Sequence, residues 1–496
     1  MFEHFKNRIP LYGVFELKFK GPFQTAADRP AKDIEFFTQW EHEDKQECYK
    51  IYGFWDGDGR GGNKGDVFKV RFSPTRVGRW HLVNTHSNIP LLNHQSEKTV
   101  VNCIPSKHPG FWIPSGRWFK RSNGTFKYFH GNTHYDFLSL LSTREILSDI
   151  RKNARYYAKL RFCLMSFRQE NKRPPLTFLT DAEAETSDRE IHSDRPNPEF
   201  FYRKVDPAIQ ESYRRDLICD LILGGSIDDQ TPDHLAYLKY VVARYGAYPN
   251  VWITVGQEWD EQRKPDHQKQ VGEQMHKLLA YPTPLSTHPV RQWEPALNGG
   301  WNTHAIIQMR AKKIGEAARD IINTTRSANH KPCVNDEIGY QGAAETMERD
   351  DVLEAHLGAF LGGGYATSGE KKENKVGQYF FGGFNVREHT VSVNLKFMAD
   401  YINKKISFWK LAPGGHEIFN NLPEEFVVLG DRSAEFVIGT NRAVNNLVAH
   451  LPVGTWQITA VDLVAMKKKF LGKKIKGDFV FDSSSSRAGM IHFKRR

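Results

Sequence analysis

Two glutamates carry the first chemical suggestion. Glu258 closes the apolar run "NVWITVGQE" (250–258), and Glu337 lies in "KPCVNDEIGY" (331–340). Both runs read as buried β-strands. A buried strand that stops on a carboxylate has to bring it to a place where its charge is used or satisfied. A facing pair of carboxyl groups is the equipment of glycosidic bond hydrolysis: one protonates the leaving oxygen, the other attacks or stabilises the oxocarbenium-like centre. Retention of configuration asks for a separation of about 5–5.5 Å, inversion for roughly 6.5–9.5 Å. One such strand end is weak evidence; two are a fairly specific signal.

The elements that must hold this pair are strands alternating with helices. From about residue 120 the chain runs "FKYFHGNTHYDFL", a helix over 143–159, "LRFCLMSF", a helix near 207–216, "LICDLILGG", a helix near 233–246, then the run ending in Glu258. A helix near 264–280 follows, then "TPLSTHPV", "THAIIQM", a helix at 311–328, the run holding Glu337, a helix at 345–361, "GGGYATSGE" and a last helix near 386–404. Eight strand-like runs in this rhythm predict a (β/α)8 TIM barrel, whose active site forms at the C-terminal ends of the strands. A doubly wound sheet would want a Gly-rich phosphate loop after its first strand, which "FHGNTH" does not supply. Residues 10–105 and those after about 405 alternate as β-strands with turn signals. The α/β fold predicted is a barrel flanked by two small β-sandwiches: an N-terminal immunoglobulin-like domain (1–110), the barrel (111–404) and a C-terminal sandwich (405–496). "SKHPGFWIPSGR" (106–117) reads as a linker. The polar stretch 168–200 reads as a lid or subsite wall, or equally as an uninvolved insertion.

Further candidates for the barrel mouth are the groups that sugars need, polar side chains for hydroxyls and aromatics for ring faces. His130 and His134 flank the end of the first strand, Asp228 and Asp229 follow the third, and Gln257 and Trp259 bracket Glu258. His288 and Trp293 follow the fifth strand, Gln308 ends the sixth, Tyr340 comes three residues after Glu337, and Glu370 ends the eighth run. For each alone, core packing is an equally good account; Tyr340 reads as a donor to Glu337 or as a packing aromatic. No HExxH or paired-His spacing supports a metal, no GxSxG elbow supports a Ser-His-Asp hydrolase, and no cofactor is expected.

The 496 residues carry five widely spaced cysteines and a net charge of +11. An odd count without CxxC argues against a disulfide framework or zinc site. No apolar run is long enough for a membrane span, and the N-terminal stretch has no signal-type apolar segment. The expected location is cytoplasmic, or secreted or periplasmic if a leader has been removed. The excess charge divides as +3 over 1–110, +2 over 111–404 and +6 over 405–496, and it gathers in "MKKKFLGKKIKG" (466–477) and the terminal "KRR". That run reads as a solvated hairpin and tail, or as an attraction to an anionic partner such as a sulfated or uronic polysaccharide. No nucleic-acid-binding motif accompanies it. The partner expected is a carbohydrate, with no nucleic acid and no membrane; homo-oligomerisation stays open.

The whole layout resembles a known group. "GFWDGDG…FKVRFSPTRVGRWHLVNTHS" before a barrel opening at "FKYFHGNTHY", "GGYATSGE" in the eighth run and a small C-terminal sandwich are similar to clan-A barrel glycosidases with an N-terminal domain of unknown-function type, the apiosidase-like or DUF-class glycosidases. The resemblance implies a retaining glycoside hydrolase with Glu258 as acid/base and Glu337 as nucleophile; the substrate expected is a plant- or algal-type oligo- or polysaccharide, and the basic balance favours an acidic or sulfated one. Glu258 is then expected protonated at rest, under the charge of Glu337 and partial burial. Two positions depart from the pattern: Gln257 stands where the clan usually has Asn, and Ser368 where relatives often have His. A catalytically inactive, glycan-binding barrel is the alternative, favoured only by Gln257. A scaffold or nucleic-acid-associated role for the basic C-terminus is a third reading.

Overall fold

The computed structural model describes residues 8–165, 175–179, 194–224, 234–258, 265–290, 298–342, 347–370, 382–431, 433–474, 477–483 and 487–496. Eight parallel strands form the central sheet: His130–Thr133, Lys159–Cys163, Ile218–Ile222, Val251–Gln257, Leu285–His288, Ala305–Ile307, Cys333–Asn335 and Tyr365–Thr367. The eighth pairs back to the first, His130 opposite Ala366, so the sheet curls into a barrel. The ladder is interrupted only between the fifth and sixth strands. There the Thr303 amide donates to the Leu285 carbonyl at 2.8 Å and the Leu285 amide donates to Thr303 Oγ1 at 2.9 Å. The result is a nearly closed (β/α)8 barrel.

Helices surround it as the periodicity requires, among them Thr143–Asn153, Asp206–Arg214, His234–Tyr245, Pro265–Leu278, Ile314–Ser327, Arg349–Leu361 and Val391–Lys405. Ser142 opens the first with a capping box to Glu145. That helix ends at Asn153, short of the expected 159, because Lys159 belongs to the second strand and points into the barrel.

The barrel interior is layered. At its N-terminal end Phe129 stacks on Tyr365 with centroids 4.1 Å apart, and Trp252 packs against Phe119 at 4.6 Å and His304 at 5.1 Å. Phe119 does not come from the barrel. The stretch read as a linker (106–117) supplies the first strand of a hairpin, Trp112–Ser115 against Trp118–Arg121, that plugs the barrel floor, and the Phe119 amide donates to the Tyr365 hydroxyl at 2.9 Å. Above lies a charged layer. Lys159 Nζ is 2.8 Å from Asp220 and 2.6 Å from Asp336, with Thr254 and Thr367 donating to those carboxylates. Burial would raise the Asp336 pKa, but the Lys159 and Arg161 cations overcome it and hold the carboxyl below its usual range.

Before the barrel, one continuous seven-stranded sheet wraps a core of Phe19, Phe36, Trp40, Phe72 and Trp80. It joins the barrel through a buried ionic network. Arg71 and Arg244 each grip the Asp206 carboxylate with two nitrogens, and Arg244 also reaches Asp56 at 2.6 Å. After the barrel, a six-stranded and a three-stranded sheet enclose Phe436, Trp456, Phe481 and Phe493. This unit meets the barrel helices through apolar contacts such as Leu361, Leu395, Val437 and Met490. Among the described residues no helix is long and apolar enough to cross a membrane, and no three His, Cys, Asp or Glu side chains gather as a metal site.

Candidate active site

The C-terminal mouth is built by side chains that alternate inward along the strands. On the second strand Lys159, Arg161 and Cys163 face the interior while Leu160 and Phe162 pack outward. On the fourth strand the register changes: Thr254 lies opposite Ser286, but Gln257, three residues on, lies opposite His288 only two residues on. This bulge turns Gln257 inward. Glu258 follows with φ of 54°, a left-handed conformation costing a non-glycine residue roughly 1 kcal/mol or more. Its amide donates to the His288 carbonyl at 2.7 Å, and the residue is half-buried.

Glu337 is buried just beyond the seventh strand. Its Oε1 accepts from the Tyr135 hydroxyl and, at 3.0 Å, from Gln257 Nε2. The Gln257 amide cannot turn the other way, because Arg161 Nη2 donates to its Oε1 at 2.7 Å. The same Nη2 lies 2.9 Å from His288 Nδ1, and Arg161 Nη1 donates to the Asp336 carbonyl at 2.8 Å. One guanidinium thus fixes the amide, the imidazole and the backbone beside the glutamate. Burial and the Arg161 cation push the His288 pKa well below its ordinary value, so the ring is neutral. Nδ1 lies against both Arg161 Nη2 and Gln257 Oε1, and Nε2 has no hydrogen-bond partner among the described residues.

The fold brings Gln257, His288 and Glu337 together and sets Glu258 next to them. Gln308, just past the sixth strand, is half-buried, with an Oε1 that finds no partner among the described residues. Tyr340 packs against the eighth-strand extension so closely that a Cβ on Gly369 would lie 2.3 Å from its ring, so this position requires glycine. The donor sought in Tyr340 is supplied by Tyr135. Two histidines lie away from the mouth. His130 begins the first strand, at its N-terminal end, and faces Tyr157 and His356 in the helix layer. His134 turns outward and pairs with Asp149 of the first long helix. Strand alternation is the reason: His130, Asn132 and His134 share the outer face, and Tyr135 is the first-strand residue at the mouth. Asp228, Asp229, Trp259, Trp293 and the Glu370 side chain lie outside the described residues, as does most of 168–200. The described ends of that insertion pair with each other through Phe178 and Pro196.

Sequence reasoning missed Tyr135 and Arg161. The signal for Arg161 was available: in "KLRFC" the cations alternate with Leu160 and Phe162, and a strand buried on both faces tolerates charge only where it is paired. Tyr135 carried no comparable mark.

Residues 8–87 match the domain of unknown function DUF5060, and residues 114–360 match the apiosidase-like catalytic domain. Among solved structures, a proposed glycoside hydrolase from Bacteroides vulgatus superposes with a TM-score of 0.78 at 19% identity, over 99% of this chain and 100% of that one. A family 5 glycoside hydrolase from the same organism superposes with a TM-score of 0.64 at 13% identity, covering 78% of this chain and 93% of its own. None of the curated proteins matches. The chain therefore carries an apiosidase-like catalytic domain behind a DUF5060 domain, and it is a glycosidase.

Proposed function

We propose that the chain hydrolyses a plant- or algal-type oligo- or polysaccharide with retention of configuration, Glu337 acting as nucleophile and Glu258 as acid/base. The observation that carries this reading is the seat of Glu337, whose Oε1 takes two donors, Tyr135 and Gln257. With Oε1 engaged, Oε2 is the atom that attacks the anomeric carbon. As that bond forms, the glycosidic bond breaks and the leaving oxygen takes the Glu258 proton. The Glu258 carboxylate then removes a proton from water, whose oxygen displaces Glu337 from the anomeric carbon. Two inversions give net retention.

Gln257 holds the nucleophile on the inner side, where an Asn side chain would be one methylene shorter. His288 Nε2 and Gln308 Oε1 are the described groups that a sugar hydroxyl would satisfy. Glu370, Trp259, Trp293 and Asp228 remain proposed wall residues, and Tyr340 a support beneath them. In the same reading the chain divides near residues 110 and 405 into two β domains around the catalytic barrel.

The test is hydrolysis of a panel of aryl glycosides and plant and algal oligosaccharides by wild type, Glu258→Gln and Glu337→Gln. Loss of activity in both variants, azide rescue of the alanine forms, and first-formed product of the substrate's own anomeric configuration by NMR are expected. An inverted product, or a Glu337→Gln variant that retains turnover, overturns it.

A further inference from the structure

The basic run near the C-terminus takes no part in the barrel mouth. It forms the edge strand Lys467–Lys474 of the six-stranded sheet, paired on one side only, to Trp456–Asp462. Lys467, Lys468, Lys469 and Lys473 are exposed, and Phe470 among them is 54% exposed. No ion pair to these lysines occurs among the described residues.

The register continues this face onto the neighbouring strands. Lys473 lies opposite Gln457, whose Oε1 accepts from Arg496 at 3.0 Å; on the far side of Gln457 stands Lys494, already paired to Glu435 at 3.0 Å. Phe470 lies opposite Thr459 and Lys468 opposite Val461. Cross-strand partners share a face of a sheet. Lys468, Phe470, Lys473, Gln457 and Lys494 therefore stand on one face. Lysines alone on an edge strand would guard it against pairing with another chain. An exposed phenyl ring such as that of Phe470 works against that purpose.

We infer that this face is a second carbohydrate-binding surface, one for a polyanionic glycan bearing carboxylate or sulfate groups. Ammonium groups spaced along an extended strand meet repeated anions, the ring offers an apolar plane to a sugar face, and the Gln457 amide meets hydroxyls. The choice of a glycan over nucleic acid rests on the glycosidase reading. The choice of an anionic glycan rests on the lysines.

The experiment uses the full chain and measures binding to polygalacturonate, dextran sulfate, neutral dextran and a short DNA duplex by affinity electrophoresis and calorimetry. Its variants are Lys468→Glu/Lys473→Glu and Phe470→Ala. Expected are binding to an anionic glycan that weakens with added salt, a loss of about tenfold or more in the double charge reversal, a smaller loss in Phe470→Ala, and unchanged hydrolysis of a small aryl glycoside. Glu337→Gln should bind as wild type does, so a failed mechanism and a failed surface give different patterns. Equal affinity for neutral dextran, preference for the duplex, or a double variant that aggregates while keeping wild-type affinity would each overturn the proposal; the last would leave the lysines as edge guards.

Discussion

The two ends of the barrel are made by the same strands and could hardly differ more. The floor is aromatic: Phe119, Phe129, Trp252 and Tyr365 fill it, and the one polar ring among them, His304, is buried and neutral. The mouth is a hydrogen-bonded cluster of Tyr135, Arg161, Gln257, His288 and Glu337. Between them Lys159 bridges Asp220 and Asp336. Dispersion and the hydrophobic effect hold the floor, and a residue there can be replaced by one of similar volume at modest loss. The mouth and the charged layer depend on partner counts, so removing one group strands another. The difference separates stability from chemistry along a single axis.

The largest expected effect is at the mouth. Glu337→Gln should lower kcat on the order of 10⁴-fold or more, with a melting temperature close to that of wild type; steady-state kinetics and calorimetry check both halves. Next comes the charged layer. Lys159→Met leaves Asp220 and Asp336 with only the more distant Arg161, at 3.8 and 3.6 Å, and should cost about 3–5 kcal/mol of stability, read by denaturant unfolding.

Acid should act on the floor and the helix layer before it acts on the ion pairs. Burial lowers the His304 pKa to about 3 and the His130 pKa to about 4, from an ordinary value of 6.5. A depressed histidine favours the native state fully above the unfolded value. That contribution is lost as pH falls from 6.5 through the folded value, because the unfolded chain binds protons first. The melting temperature should therefore fall steadily from pH 6.5 to 4, and His130→Asn should flatten the slope; an unchanged slope would mean that His130 is not the titrating group.

Tyr135→Phe removes one donor from Glu337 and should reduce kcat roughly 10²-fold while leaving stability nearly intact. The smallest effect is expected from Phe119→Leu, with about 1 kcal/mol of stability lost and kcat unaltered. A large kcat effect there would show that the plug is coupled to the mouth and would break the separation of the two ends.

Much of this was legible in the chain itself. Eight apolar runs with helical periods between them specify a barrel because each buried parallel strand is hydrophobic on both faces and each helix on one. The placement of Glu258 and Glu337 at strand ends followed from where those runs stop, and Gln257 and His288 followed from being next to them. His130 and His134 were misplaced because proximity to a strand end does not say which face a residue takes; a single step of register exchanges the outer histidines for Tyr135.

The sequence by itself determined the order of elements, the placement of two glutamates beyond the ends of the fourth and seventh barrel strands and the charge concentrated in 466–477, since these depend on local pattern and composition. The tertiary structure decided what long-range packing alone can. A bulge in the fourth strand turned Gln257 onto Glu337. A hairpin begun in an apparent linker closed the barrel floor. Cross-strand register set Lys473 and Lys494 on either side of one glutamine. Each of these is a contact between residues far apart in the chain, and no local periodicity encodes its partner.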